Sequence, residues 1–147
     1  MSPMEIALAE ARAAAARGEV PVGAVVTDAA GAVLARAGNE AEARHDPSAH
    51  AEMLALRAAA AAAGAKVLPE ATLWVTLEPC AMCAAAASFF RVKRVVFGAY
   101  DPKGGGVEHG PRFFAQPTCH HAPEVVGGLR ESEAADLLRT FFAQLRS

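Results

Sequence analysis

His50-Ala51-Glu52 and, further along, Pro79-Cys80-Ala81-Met82-Cys83 hold the side chains of this sequence best suited to chemistry. An imidazole nitrogen and two thiolates are donors that tetrahedral zinc favours, and three protein ligands leave the fourth position open. Water at an open zinc site ionises near neutral pH, which supplies a nucleophile that the side chains lack. If His50, Cys80 and Cys83 hold the metal, Glu52 remains as a carboxylate able to carry protons.

Spacing fits this assignment. Cys80 and Cys83 are three apart and share one face of a helix. Pro79 suits the first turn of that helix, where its missing N–H is harmless. The helix N-terminus and the metal together favour the thiolate form. His50 and Glu52 would point about 200° apart on a regular helix. The metal is therefore expected off the N-terminal end of a helix beginning near Asp46-Pro47-Ser48, where first-turn side chains converge. Two thiolates cancel the charge of the ion and a neutral imidazole adds none, so the carboxylate is free to act as a base. The alternative is a closed structural site with a fourth ligand from His45, His109, Cys119, His120 or His121. Closed sites in small modules usually pair two tight ligand pairs, and only one tight pair is present. The Cys119-His120-His121 run lacks a partner pair and reads as a solvated loop, with a second metal site as its alternative.

The elements that must position these groups follow from periodicity. Met4 to Arg17 reads as a helix closed by Gly18, and Val20 to Thr27 with Ala32 to Ala37 as a hairpin across Asp28-Ala29-Ala30-Gly31. Ala49 to Ala63 is a second helix ended by Gly64, and Thr72 to Leu77 a buried strand. The next helix starts at Pro79 or Cys80 and runs to about Phe90, before a strand from Lys93 to Ala99. Tyr100 to Ala122 is a long loop rich in Gly, Pro and His, of the kind that is often functional. A short strand at Glu124 to Val126 and an amphipathic helix at Glu131 to Arg146 complete the pattern. That order predicts a layered α/β domain with one mixed sheet, both metal helices starting at one sheet edge where such folds place ligands.

At 147 residues the chain is expected to form a single domain, residues 1–147, with room for a core and none for a second catalytic domain. The apolar share of 53% overstates core-forming power because much of it is alanine, so the core is expected from Val, Leu, Ile, Phe, Met and Trp74. There is no apolar run long enough to span a membrane and no charged-then-apolar leader, so a cytoplasmic protein is expected. Three cysteines, two of them assigned to metal, do not suggest a disulfide framework. A net charge of −2 gives no global support to nucleic-acid binding, so any such site must be local. Arg91, Lys93, Arg94, Lys103 and Arg112 form the candidate basic cluster.

The H-x-E and P-C-x-x-C signatures resemble those of the zinc-dependent deaminase superfamily, which includes nucleobase deaminases. Segments Glu19-Val20-Pro21-Val22-Gly23-Ala24-Val25, Arg44 to Glu52, Thr76 to Ala84 and Arg94 to Ala99, with Asn39, are similar in order and length to the bacterial tRNA-specific adenosine deaminases. This resemblance implies a three-layer α/β/α cytidine-deaminase-like fold with a central mixed five-stranded sheet. It also implies conversion of adenosine to inosine at the wobble position of tRNA, acting on the anticodon stem-loop, by a homodimer with one Zn²⁺ per subunit. His50, Cys80 and Cys83 would hold zinc, Glu52 would shuttle protons, and Asn39, Val22, Ala51 and Pro79 would bind substrate. Asn39 is equally readable as a turn residue after Gly38, and Val20, Pro21 and Val22 as a strand start rather than a pocket wall. Asp101, Lys103 and Gly104 to Gly106 suggest an RNA-facing loop or a plain glycine turn.

The chain departs from the family pattern in two ways. Phe89-Phe90 puts aromatics before Arg91, which either stack on bases or enter a subunit interface. Glu40 places an acid where a basic residue is frequent, which weakens local attraction to phosphate. Two other functions remain open: a deaminase of free bases or nucleosides of the guanine or cytosine type, and a non-enzymatic zinc-stabilised interaction domain. The His50 ligand argues against free cytidine deaminases, and the short chain against relatives that carry a reductase.

Overall fold

The structure, a computed structural model, describes residues 1–146. Its elements are α1 (Pro3–Ala16), β1 (Gly23–Thr27), β2 (Val33–Gly38), α2 (Ala51–Ala63), β3 (Thr72–Leu77), α3 (Ala81–Phe89), β4 (Arg94–Ala99), a 3-10 turn (Phe113–Ala115), β5 (Glu124–Val126) and α4 (Glu131–Arg146). The sheet runs β2-β1-β3-β4-β5. β1 is antiparallel to both β2 and β3, whereas β3, β4 and β5 are parallel. The crossover from β3 to β4 is α3, so β3 must deliver the chain to one edge of the sheet before that helix begins.

Alternation along the strands divides the core into two layers. Ala24, Val26, Leu73, Val75, Val95 and Phe97 pack with residues of α2 and α3, while Val25 and Val96 pack with Met4, Ala7 and Leu8 of α1 and Ala134 of α4. The result is the expected three-layer α/β/α arrangement around a mixed five-stranded sheet. The composition of the core is a correction: alanines such as Ala7, Ala11, Ala14, Ala55, Ala59, Ala84 and Ala87 are fully buried, and Trp74 is only half-buried. Their small volume lets helices sit close to the sheet. At Gly23 any Cβ would overlap the Ala7 carbonyl oxygen, so α1 lies directly on that strand.

Local chemistry sets the boundaries. Ser2 and Glu5 form a reciprocal capping box that starts α1 at Pro3, and Gly64, at φ 62°, ends α2 in the left-handed region. β1 starts at Gly23 rather than Val20 because the Val22 N–H turns back onto the Val20 carbonyl at 2.8 Å. α2 starts at Ala51, later than expected, because Asp46 Oδ1 accepts the Ser48 N–H at 2.9 Å and its hydroxyl at 2.7 Å, a side-chain turn that competes with helix. α3 begins at Ala81, which leaves Pro79 outside the helix.

Candidate active site

His50 is the residue just before α2 and Cys80 the residue just before α3; both have extended backbones and neither side chain caps its helix. That removes the apparent conflict between His50 and Glu52. His50 is not on the helix, so its imidazole can turn toward the two thiols while Glu52, in the first turn, faces inward. The His50 Nδ1 atom is 3.6 Å from Cys80 Sγ and 3.5 Å from Cys83 Sγ. A tetrahedral zinc with bonds of about 2.3 Å to sulfur and about 2.0–2.1 Å to nitrogen sets N···S edges of about 3.6 Å, so the donor set fits zinc. The ligand atoms of these three residues lie within 4.8 Å of one another, and among the described residues no fourth His, Cys, Asp or Glu joins them.

The donors share protons in a way a dication would displace. Hydrogen bonding from Cys83 lowers the Cys80 thiol to about 4 against burial, with His50 assisting. The same contact, burial and the nearby Glu52 push the Cys83 thiol far up, and the hydrogen bond with Cys80 raises His50 against burial. Glu52 is 4% exposed. Burial pushes its carboxyl up to about 7; its own backbone N–H opposes that shift and the Cys80 charge adds to it. A carboxyl titrating near neutrality can both take and give a proton.

These groups open into a cavity of about 290 Å³ lined by Val20, Val22, Asn39, Ala51, Leu77, Glu78, Asp101 and Gly104 together with His50, Glu52 and Cys80. Asn39 is both a turn residue and part of the cavity wall. Its Oδ1 accepts the Ala41 N–H at 3.0 Å, as a turn residue does, while the residue also lines the cavity. Its side-chain NH₂ has no protein partner among the described residues and is the group left to donate to a ligand.

Residues 2–99 match the family described as the cytidine and deoxycytidylate deaminase zinc-binding region. The chain is 58% identical to the tRNA-specific adenosine deaminase of Agrobacterium fabrum (strain C58), over 97% of this chain and 93% of that one. It belongs to the tRNA-specific adenosine deaminase family. A solved structure from work on tRNA:A34 deaminases superposes with a TM-score of 0.90 at 57% identity, covering 92% of this chain and 98% of the other. A guanine deaminase from Nitrosomonas europaea shares the fold at a TM-score of 0.82 but only 25% identity, over 96% and 83% of the two chains.

Within this deaminase family member, several sequence expectations resolve differently. Pro79 does not line the cavity: it precedes Cys80, and its carbonyl accepts the Gly106 N–H at 2.8 Å. The candidate fourth ligands are committed or remote. His109 Nδ1 lies 2.8 Å from Glu78, His121 Nε2 lies 2.7 Å from the Val92 carbonyl, and Cys119 Sγ lies 3.6 Å from Ser88 Oγ. His45 lines a groove beside the cavity, and His120 a small hollow with Phe89 and Arg91. The basic cluster does not assemble: Lys93 and Arg94 sit at the start of β4, opposite the strand ends that reach the cavity, and Arg94 pairs with Glu124. Glu40 pairs with Arg44 at 3.1 Å, which offsets its charge. Phe89 is 76% exposed, whereas Phe90 packs against the core.

Two buried carboxylates escaped the sequence reading. Glu19 accepts the N–H groups of Glu42 at 3.0 Å and Ala43 at 2.8 Å, and so anchors the turn that follows Asn39. Glu78 holds the facing loop. Both lie within the segments that carry the family resemblance, and that membership is the sequence signal that could have pointed to them.

Proposed function

We propose that this protein hydrolyses adenosine to inosine at the wobble position of tRNA, binding the anticodon stem-loop. The observation that carries this reading is a zinc donor set, a buried carboxyl and a free amide donor meeting in one cavity, in a chain 58% identical to a tRNA-specific adenosine deaminase along nearly its whole length. His50, Cys80 and Cys83 would hold one Zn²⁺ per subunit. When bound, that ion supplies Lewis-acid chemistry, making water acidic enough to ionise near neutral pH. Glu52 takes one proton from water and delivers it to the ring nitrogen beside C6 as the water oxygen bonds to C6. It then carries the second proton, from the new hydroxyl, to the amine as the C6–N bond breaks and ammonia leaves. Asn39 donates from its side-chain NH₂ to the purine edge, while Val22 and Ala51 form apolar walls against the base. The NH₂ group is well placed for that task because its oxygen is already held by the Ala41 N–H.

The remaining parts of this reading are one domain spanning residues 1–147, a homodimer and a cytoplasmic location. The exposed Phe89 ring supports burial of that surface in a subunit interface. None of the described helices is long and apolar enough to cross a membrane. Purified protein offered an anticodon stem-loop and, separately, free guanine, cytosine and adenosine decides the substrate. Inosine in the stem-loop with untouched free bases is the expected result. Turnover of guanine with an unchanged stem-loop overturns it in favour of the free-base chemistry of the 25% identical guanine deaminase.

A further inference from the structure

Glu78 is 2% exposed, yet it directly follows β3 and stands two residues before a metal donor. Its Oε1 accepts the Asp101 N–H at 3.0 Å and lies 2.8 Å from His109 Nδ1. Its Oε2 accepts the N–H groups of Val107 at 3.2 Å, Glu108 at 2.8 Å and His109 at 3.1 Å. One carboxylate therefore gathers donors from both ends of segment 101–109. That segment has no regular structure of its own, and it brings Asp101 and Gly104 to the wall of the cavity. Asp101 is in turn fixed by accepting the N–H groups of Lys103 and Gly104 at 3.2 and 3.0 Å.

We propose that Glu78 is a positioning residue for the deamination: it latches segment 101–109 onto the junction between β3 and α3 and so sets the width of the substrate cavity. The inference rests on the function proposed above. Glu78 borders the cavity, but both oxygens are committed to the latched segment, so it acts through Asp101 and Gly104. A carboxylate is required because all its partners are donors. A glutamine would turn an NH₂ group toward one set of them and leave those N–H groups unpaired.

The test compares the zinc-loaded parent with Glu78→Gln, Glu78→Asp and His109→Ala, using kinetics on a stem-loop RNA, zinc content and amide hydrogen exchange. Glu78→Gln is expected to keep zinc and its helices while exchanging faster at residues 101–109, and to lose about 10–100-fold in kcat/KM because the base is held out of position. Glu78→Asp, which keeps two acceptors, should recover part of that loss. His109→Ala removes one contact from the exposed side and should lose about 3–10-fold in kcat/KM. Parent-like kcat/KM and exchange in Glu78→Gln overturn the latch, as does loss of zinc, which would make Glu78 a metal-site residue. If Glu78→Gln does not fold, a parent-like His109→Ala overturns it. A parent inactive on the stem-loop defeats the functional reading instead, and exchange at 101–109 still tests the latch.

Discussion

On the metal side of the cavity the functional groups hang from the starts of α2 and α3, whereas the facing wall, residues 101–109, is loop backbone gathered onto one carboxylate. The metal side places its atoms at and just before the starts of two helices, and Ala51, Ala55, Ala84 and Ala87 bury those helices against the sheet. The loop side places Asp101 and Gly104 by hydrogen bonds that a single substitution can undo. The helix starts thus carry the metal donors and Glu52, and loop structure carries Asp101 and Gly104 on the cavity wall. That division lets substrate fit vary without disturbing the ion.

If the division holds, damage on the metal side should abolish chemistry. Replacing Cys83 by Ser should remove zinc and all measurable turnover, and zinc should restore a chelator-stripped parent but not this variant; metal analysis beside an inosine assay checks both. Glu52→Gln should keep one zinc per chain and lose about 10²–10⁴-fold in kcat. Loss of its zinc would make Glu52 a ligand and erase the distinction between holding the ion and moving the proton.

Smaller effects test the substrate wall and the burial of Glu52. Asn39→Asp keeps the acceptor for the Ala41 N–H but deletes the NH₂ donor, so kcat/KM should fall about tenfold with thermal stability nearly unchanged. Metal-stripped Glu52→Gln should gain stability over the metal-stripped parent as pH rises. The folded carboxyl titrates near 7 against 4.5 for the free group, beside His50, Cys80 and Cys83. The stability of the parent is therefore whole below pH 4.5 and declines as the pH passes through 7, while a glutamine does not titrate. Denaturant melts at pH 5 and pH 8 should show the gap widening by about 2–3 kcal/mol.

The donor set was legible because His50, Cys80 and Cys83 carry their preference for zinc in their own atoms, and the bounds of β3, β5 and α4 followed from periodicity and turn residues. What could not be read depended on partners distant in sequence. Whether an alanine is core or surface is decided by what lies across from it, so Ala7, Ala11 and Ala59 were undervalued. Glu19 and Glu78 look like surface acids until loops more than twenty residues away close over them. Arg91, Lys93 and Arg94 are neighbours in sequence, yet β4 carries the chain away from them toward the cavity.

Among the described residues no lysine or arginine lines the cavity, although the Cys80 thiol and three acids, Glu52, Glu78 and Asp101, meet there. The peptide amides at the starts of α2 and α3 stand where cationic side chains would otherwise be needed, and their field belongs to the backbone. Dissolved salt shields exposed charges far more than sheltered ones. Rising ionic strength should therefore release a polyanion from the outer face while the ion stays gripped, so a simple salt titration can separate docking from turnover.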